Sequence, residues 1–400
     1  ADSEAKIRNK YEPLLEKATR VDENVNTLHN KTLKGKGKGK ENIMEEMKTL
    51  IKLNASSLKL TTCMLQYHRI AVEGYKQPAN PAALTYGVAV HKFIDMMYKT
   101  QRLDMARDAA LLEFRKPKYD NRKSPHLSSE THLIHTCFNY WNDYITKNTD
   151  YSLVMLQQPC PWCGGKGKRF SGCEMKLTEN NKSEFVKELP EIVCEQCKGD
   201  STLQLPASEV TFEIDYYEDD HIKVVLAGTI DGIGKIANGC YAIRDFKTTS
   251  SAEQDEYLDD YEMSAQLRFY IFSLKLMGRL HPDSVLGQIG NTRIGAFIDG
   301  IFLKPKLVSN GYVRSKVFQF SDDELAEFEL NLNELIKKIS QYIATGLWQQ
   351  REGIVNGTCR SGYRKCDFWH ACRSGNKAIA DILLARDFIQ KEYNPLKHNE

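Results

Sequence analysis

The chain has 400 residues, 41% of them hydrophobic, with a formal net charge of +2 and 11 cysteines. That length allows one large domain or two. No apolar run reaches the roughly 18 residues of a membrane helix, and a polyanionic partner would have to be met by local basic patches rather than by global charge.

The amino terminus is charged and helix-like over residues 1–30 and holds no apolar segment that could act as a secretory signal. The expected compartment is therefore the cytoplasm of a bacterium or a virus-infected cell, without membrane attachment. In a reducing compartment clustered cysteines are more often metal ligands than disulfides. Residues 31–42, KTLKGKGKGKEN, read as a solvated loop, with contact to backbone phosphates as the sharper alternative. Residues 43–75 read as helix. Asn80-Pro81 opens a further helix carrying Val88, Val90, Phe93, Ile94 and Met97 at helical spacing. Residues 128–148 have a capping start and also read as helix.

The periodicity breaks at 160–200, where CxxC pairs, glycines and charges indicate an inserted module. Three strands follow over 209–217, 222–230 and 241–248, rich in β-branched and aromatic residues, with a turn at Asn238-Gly239. A helix is expected over 258–278, a strand over 294–303, and a helix over 321–345 with Ser321 as its N-cap. A cysteine-rich segment at 359–372 and a last helix at about 375–391 complete the chain. The resulting layout is a helical arm over 1–56 and a domain over 57–400 that contains the 158–203 insertion and the 359–372 segment. The fold class is α/β, a short mixed sheet flanked by helices.

The chemistry-bearing pattern is Gly228-Thr229-Ile230-Asp231 followed by Asp245-Phe246-Lys247. Strand alternation places Asp245 and Lys247 on one face, and pairing with the preceding strand brings Asp231 beside them. Two carboxylates and an ammonium suit a hard divalent cation and a phosphodiester: the acids supply oxygen ligands, and the lysine stabilises charge developing on phosphorus. The Phe246 carbonyl could add a ligand. On the D-x-K triplet alone, an exposed cross-strand ion pair of little energetic weight is the blander reading. Gln266 and Tyr270, at i and i+4, share one helix face, as do Gly87 and His91.

Gly87-x-x-x-His91, Gly228-x-x-Asp231, Asp245-x-Lys247 and Gln266-x-x-x-Tyr270, in that order, resemble the motifs of the RecB-like branch of PD-(D/E)xK nucleases, which includes RecB, AddB and the CRISPR-associated exonucleases. The resemblance covers about residues 57–373. It implies a restriction-endonuclease-like core, Mg2+ or Mn2+ held by His91, Asp231 and Asp245, water activation by Lys247, and active-site or DNA contacts by Gln266 and Tyr270. Glu213 is a candidate for the acidic position on the preceding strand.

Two cysteine sets stand out. Cys160-x-x-Cys163 and Cys194-x-x-Cys197, each followed by x-Gly, resemble the zinc repeats of DnaJ chaperones and suit one tetrahedral Zn2+. Lys166, Lys168 and Arg169 there could touch DNA, although a solvated loop is the plainer reading. Cys359, Cys366 and Cys372, with Cys63 ahead of the motif histidine, match the three-late, one-early cysteines of the iron–sulfur members of the branch. Six residues separate the first two where two are usual. Four thiolates suit a [4Fe–4S] cluster, with zinc or plain reduced thiols as the alternatives. Cys137, Cys173 and Cys240 are left as ordinary thiols.

The expected function is metal-dependent hydrolysis of DNA, exonucleolytic on single strands or ends, in repair, recombination or replication. The alternative is a non-catalytic DNA- or protein-binding module on the same scaffold. The sequence has no Walker A match, so a helicase or recombinase motor would be a separate chain.

Overall fold

The computed structural model describes residues 48–119, 125–170, 173–177, 183–188, 191–250, 254–304, 311–348, 357–361 and 364–396. The expected helix over 1–30 and the Lys/Gly stretch at 31–42 lie outside the described residues. The continuous helix expected over 43–75 is replaced by a strand followed by short helices. Strand β1 (Thr49–Leu53) buries Ile51 and Leu53 while Leu50 and Lys52 point outward. The reason is long-range, because Thr49–Leu53 pairs in parallel with Ile222–Leu226, and a short apolar run satisfies either period until a partner strand decides. Helix α1 (Ala55–Leu60) starts at a capping box of Asn54 and Ser57. Helix α2 (Met64–Tyr67) runs into a π-helical turn over His68–Val72. Helices α3 (Ala82–Thr100), α4 (Leu103–Phe114) and α5 (Glu130–Asn139) follow, the last capped by Ser129.

The chain then enters the sheet at β2 (Tyr151–Leu153) and leaves it through β3 (Met155–Pro159) into the cysteine module. It returns through β4 (Thr202–Pro206), which pairs with β3. Next come β5 (Ser208–Glu218), β6 (Ile222–Ile236) and β7 (Tyr241–Thr249). Strand β6 runs six residues past the expected end because its second half pairs with both β2 and β7. At the turn before β7, Gly239 has φ +82° and the Asn238 side chain accepts from the Cys240 N–H at 2.9 Å.

The helix expected over 258–278 is broken. A short helix over Gln254–Asp259 and a 3-10 turn precede α6 (Ala265–Leu280), which starts afresh at the Ser264 cap. Strand β8 (Ile294–Phe302) pairs in parallel with β7, and β9 (Gly311–Arg314) closes that edge. Helix α7 (Asp322–Thr345) has the expected Ser321 cap, completed as a capping box by Glu324, and ends at left-handed Gly346. Helices α8 (Trp369–Arg373) and α9 (Lys377–Asp387) are the last two helices of the described chain. The last helix is shorter than expected because Ile389–Gln390 pairs with Tyr75–Lys76.

The result is a mixed α/β fold with a central sheet between two helical layers. One core holds Leu53, Leu226 and Ile243 against Leu267 and Phe269 of α6 and Ile336 of α7. The other packs Phe246 and Ile301 against Tyr86, Phe93 and Leu133 of α3 and α5. Among the described residues, no helix is long and apolar enough to cross a membrane.

A buried ion cluster braces β7 from behind. Asp299 of β8 is fully buried, accepts from Arg314 Nε at 2.8 Å and from the Tyr144 hydroxyl at 2.9 Å, and lies 4.0 Å from Arg244 Nη1. Arg244, itself buried, lies against the rings of Tyr98, Tyr151 and Phe246 at 5.0, 4.8 and 4.6 Å. Removing this acid leaves the buried Arg244 without a carboxylate, while Arg314 keeps Asp150 at 2.7 Å; breaking a buried pair in this way costs about 3–5 kcal/mol. Asp299→Ala is therefore expected to lose that much unfolding free energy in urea; a loss below about 1 kcal/mol would show that the aromatic rings alone carry Arg244.

Candidate active site

The ladder between β6 and β7 pairs Gly232 with Arg244, so its next rung opposes Asp231 and Asp245. The ladder between β5 and β6 pairs Ser208 with Gly232 and Val210 with Ile230, so Glu209 stands opposite Asp231 from the other strand. Three acids thus form one row across three neighbouring strands. Asp231 and Asp245 are 7% and 1% exposed. Like charges side by side in a poorly solvated place destabilise one another unless cations intervene.

Two cationic groups of the chain do so. Lys247 Nζ lies 2.5 Å from Asp245 Oδ2. His91, on α3, places Nδ1 3.3 Å from Glu209 Oε1 and 3.5 Å from Asp231 Oδ2. Its Nε2 is 3.1 Å from the Phe246 carbonyl, so that nitrogen carries the proton. The Asp231 carboxylate accepts from the Phe246 N–H at 2.7 Å, which takes the place of a ladder bond as the strands part. From the opposite layer, Gln266 Nε2 reaches Asp245 Oδ1 at 2.9 Å and the Tyr270 hydroxyl at 3.1 Å.

Small residues make these approaches close. A Cβ on Gly87 would meet Thr248 Oγ1 at 2.9 Å, so glycine lets α3 sit against β7 one turn before His91. A Cβ on Gly228 would meet the Phe212 ring at 2.8 Å and Tyr270 Cε1 at 3.5 Å.

The electrostatics follow from burial and pairing. Burial pushes the Asp245 carboxyl up to about 6, against the pull of Lys247. Asp231 would also be raised by burial, but His91, Lys247 and the Phe246 N–H outweigh that and hold it below the usual carboxylate range. Burial works against a charged His91, yet Asp231 and Glu209 keep it well above its ordinary value. Burial likewise opposes a charged Lys247, and Asp245 and Asp231 more than compensate.

The residues named from sequence are therefore brought together: His91, Asp231, Asp245, Lys247, Gln266 and Tyr270 surround one point where β6 and β7 diverge. Glu213 is elsewhere; it is exposed and ion-paired with Lys52. The acid of β5 at this point is Glu209, which the sequence reading missed. It sits at φ +50°, a left-handed backbone that costs a non-glycine residue about 1–2 kcal/mol. Such strain is characteristic of functional positions. Counting rungs back from Asp231 along the β5–β6 ladder would have found it.

His91, Glu209 and Asp231 bring their ligand atoms within 4.8 Å of one another. These oxygen and imidazole donors fit a hard divalent cation, whereas the Phe246 carbonyl, expected as a further ligand, is taken by His91 Nε2 on the other side of the ring. If Glu209 is a ligand, Glu209→Gly should relieve the backbone strain and melt no earlier than wild type, yet bind Mn2+ on the order of tenfold more weakly or worse. Calorimetric titration with Mn2+ decides this; unchanged affinity would remove Glu209 from the site.

Among the described residues, the other group tight enough for a single ion is Cys160, Cys163, Cys194 and Cys197, all buried. Cys160 and Cys194 sulfurs lie 3.9 Å apart, and Cys163 and Cys197 sulfurs 3.7 Å. Burial opposes ionisation of Cys163, but the Gly167 N–H and the neighbouring thiols bring it down to about 7; the Cys197 N–H lowers Cys194, and burial pushes Cys160 up to about 12. These four can hold a metal ion. Lys166 and Lys168 nearby are exposed; the side chains of Arg169 and Cys173 lie outside the described residues. Cys63, Cys359, Cys366 and Cys372 line one small enclosed cavity with Gln66, Arg69, Phe368 and Trp369. Cys137 is buried in the α3–α5 layer and Cys240 is exposed.

A comparison with curated proteins returned no match to this chain. The profile of the PD-(D/E)XK nuclease superfamily matches residues 52–373, from β1 to the end of α8 and across every residue of the acid row. With most of its length so matched, the chain belongs to the PD-(D/E)XK nuclease superfamily.

Proposed function

We propose that this protein is a Mg2+- or Mn2+-dependent deoxyribonuclease of the RecB-like branch, acting exonucleolytically on single strands or ends. The observation that carries the reading is the acid row Glu209–Asp231–Asp245 with Lys247 at its end and His91 above it. His91 through Nδ1, Glu209 and Asp231 would hold the cation, with Asp245 across from Asp231 as a further carboxylate ligand. When bound, the cation polarises the scissile phosphate and acidifies an attacking water. The protein's own groups do the rest. Lys247, held charged by Asp245 and Asp231, offers a fixed positive centre to the charge that builds on the phosphate oxygens. Gln266 fixes the Asp245 carboxylate by hydrogen bond, and Tyr270 holds Gln266 in turn.

The same reading assigns Zn2+ to Cys160, Cys163, Cys194 and Cys197. Zn–S bonds of about 2.3 Å at tetrahedral angles give sulfur–sulfur edges of about 3.8 Å, and the paired sulfurs stand at 3.7 and 3.9 Å. It assigns a [4Fe–4S] cluster to Cys63, Cys359, Cys366 and Cys372, whose sulfurs surround a cavity rather than a point. The site-bearing chain would act with a separate helicase or recombinase chain on DNA in repair, recombination or replication.

The test uses end-labelled linear and closed circular DNA side by side, single- and double-stranded, with a matching RNA in parallel, and with Mg2+, Mn2+ or EDTA. Release of labelled short products from linear DNA, with circles intact and EDTA silent, is the expected result. Nicking of circles would replace exonuclease by endonuclease. Inertness on every DNA form would favour a binding module, and cleavage of RNA alone would change the substrate class.

A further inference from the structure

We propose that Arg69 is the counter-charge and N–H donor of the metal–thiolate centre formed by Cys63, Cys359, Cys366 and Cys372, and that it sets that centre's reduction potential. The inference rests on the cluster assignment made above and extends it, because a cluster neutralised in this way is tuned for electron uptake as well as joining the start of α2 to α8.

Arg69 lies on the π-helical turn over His68–Val72, just after α2, and is 7% exposed. Local π-helical turns often accompany functional positions. Its guanidinium lies 5.2 Å from the centre of the Phe368 ring, and Nη1 donates to Cys372 Sγ at 3.1 Å. Among the described residues, no carboxylate forms an ion pair with it; Glu73 is close enough to feel its charge, but no direct bridge forms. A buried guanidinium without an anion is costly, and a neutral thiol is only a weak acceptor. The arrangement therefore makes little physical sense for four protonated cysteines. Four thiolates around an iron–sulfur core leave the centre net negative, which supplies an anion in direct contact with the guanidinium.

A second donor points to the same cavity. Trp369 lines it, and the indole Nε1 is buried without an acceptor among the described residues. Net charge and hydrogen bonds to the sulfurs are what shift the potential of such a centre. A cation within hydrogen-bond reach of Cys372 stabilises the more negative, reduced level, so the potential is raised relative to a centre lacking Arg69.

The full chain, purified anaerobically as wild type, Arg69→Gln and Arg69→Lys, is assayed for iron and acid-labile sulfide. It is then titrated with dithionite through redox mediators, followed by visible absorbance and by electron paramagnetic resonance of the reduced form. Wild type is expected to carry iron and sulfide in cluster proportions. Arg69→Gln should move the potential to more negative values and alter the visible circular dichroism. Arg69→Lys, which keeps the charge but loses the planar donor, should move it less and in the same direction. If Arg69→Gln does not hold a folded, loaded protein, the Arg69→Lys shift against wild type decides. Loaded variants with the wild-type potential would overturn the role of Arg69 while leaving the cluster assignment intact. Wild-type protein without iron would overturn the cluster assignment itself, and the inference with it; DNA cleavage in that same preparation reports separately on the acid row.

Discussion

Lys247→Ala is expected to remain folded and to lose cleavage by on the order of 10²–10³-fold, the range typical of removing one preorganised charge or donor aimed at a developing anion. Lys247 lies 2.5 Å from Asp245 and is held charged by both Asp245 and Asp231. Among the described residues no other carboxylate forms an ion pair with it, so its charge can be shared with a phosphate at the mouth of the site. Removing it leaves Asp245, 1% exposed, without its cation. Asp245 is already pushed up to about 6 by burial, so it can relieve that stress by taking a proton instead of unfolding the sheet. The same uptake would weaken the acid row toward a cation, so part of the loss should appear as a higher Mn2+ requirement. Asp245→Ala should be at least as inactive. Gln266→Ala, which frees the carboxylate without removing it, should lose less. Turnover against Mn2+ concentration, with thermal melts as the fold control, separates these effects. Folded Lys247→Ala and Asp245→Ala proteins that cleave like wild type would end the catalytic reading of the acid row.

The second large effect is expected at the cysteine module. Cys163→Ser or Cys197→Ser should lose the single metal ion that the four thiols can hold, proposed above to be zinc, and unfold the segment between β3 and β4 while the sheet core stays cooperative. Structural zinc contributes on the order of 10–16 kcal/mol to the folding of small zinc domains, and among the described residues the rest of the module is two short antiparallel ladders with few buried apolar side chains. Its apolar contacts beyond the four cysteines are with Trp162 and Leu203. Lys198 and Ser201 sit at positive φ, a strained backbone for non-glycine residues, while Gly164, Gly165, Gly167 and Gly199 take the remaining left-handed positions freely. The segment is tied to the core by the short β3–β4 ladder, where Leu156 and Leu205 are buried. Metal analysis and limited proteolysis across 160–200 read the effect. A variant that keeps its zinc, or a metal-free module as protease-resistant as wild type, would remove the structural role.

Much of the candidate site could be read from the sequence because its parts obey local periods. Asp245 and Lys247 share a face because strand side chains repeat every two residues, and Gln266 and Tyr270 do so because a helix brings i and i+4 together. Asn238-Gly239 and the Ser321 cap act within a few residues. The CxxC knuckles bring their thiols together through tight glycine turns, so their spacing alone announced a metal site.

What the sequence could not settle depends on partners far away along the chain. Residues 49–53 fit a helix or a strand until Ile222–Leu226 offered a parallel edge. Glu209 joined the acids only through the register of β5 on β6, where a one-residue difference decides which side chain faces the site, and Glu213 was the wrong choice for that reason. Arg244 and Asp299, more than fifty residues apart, meet only across the sheet. By itself the sequence determined the fold class, the order of the motifs and the chemistry of each group, because these follow from residue type and short-range periodicity. Tertiary structure alone decided which acid completes the row, what lies behind it and which cation faces the cysteines, because strand register and layer packing bring together groups that no local spacing relates.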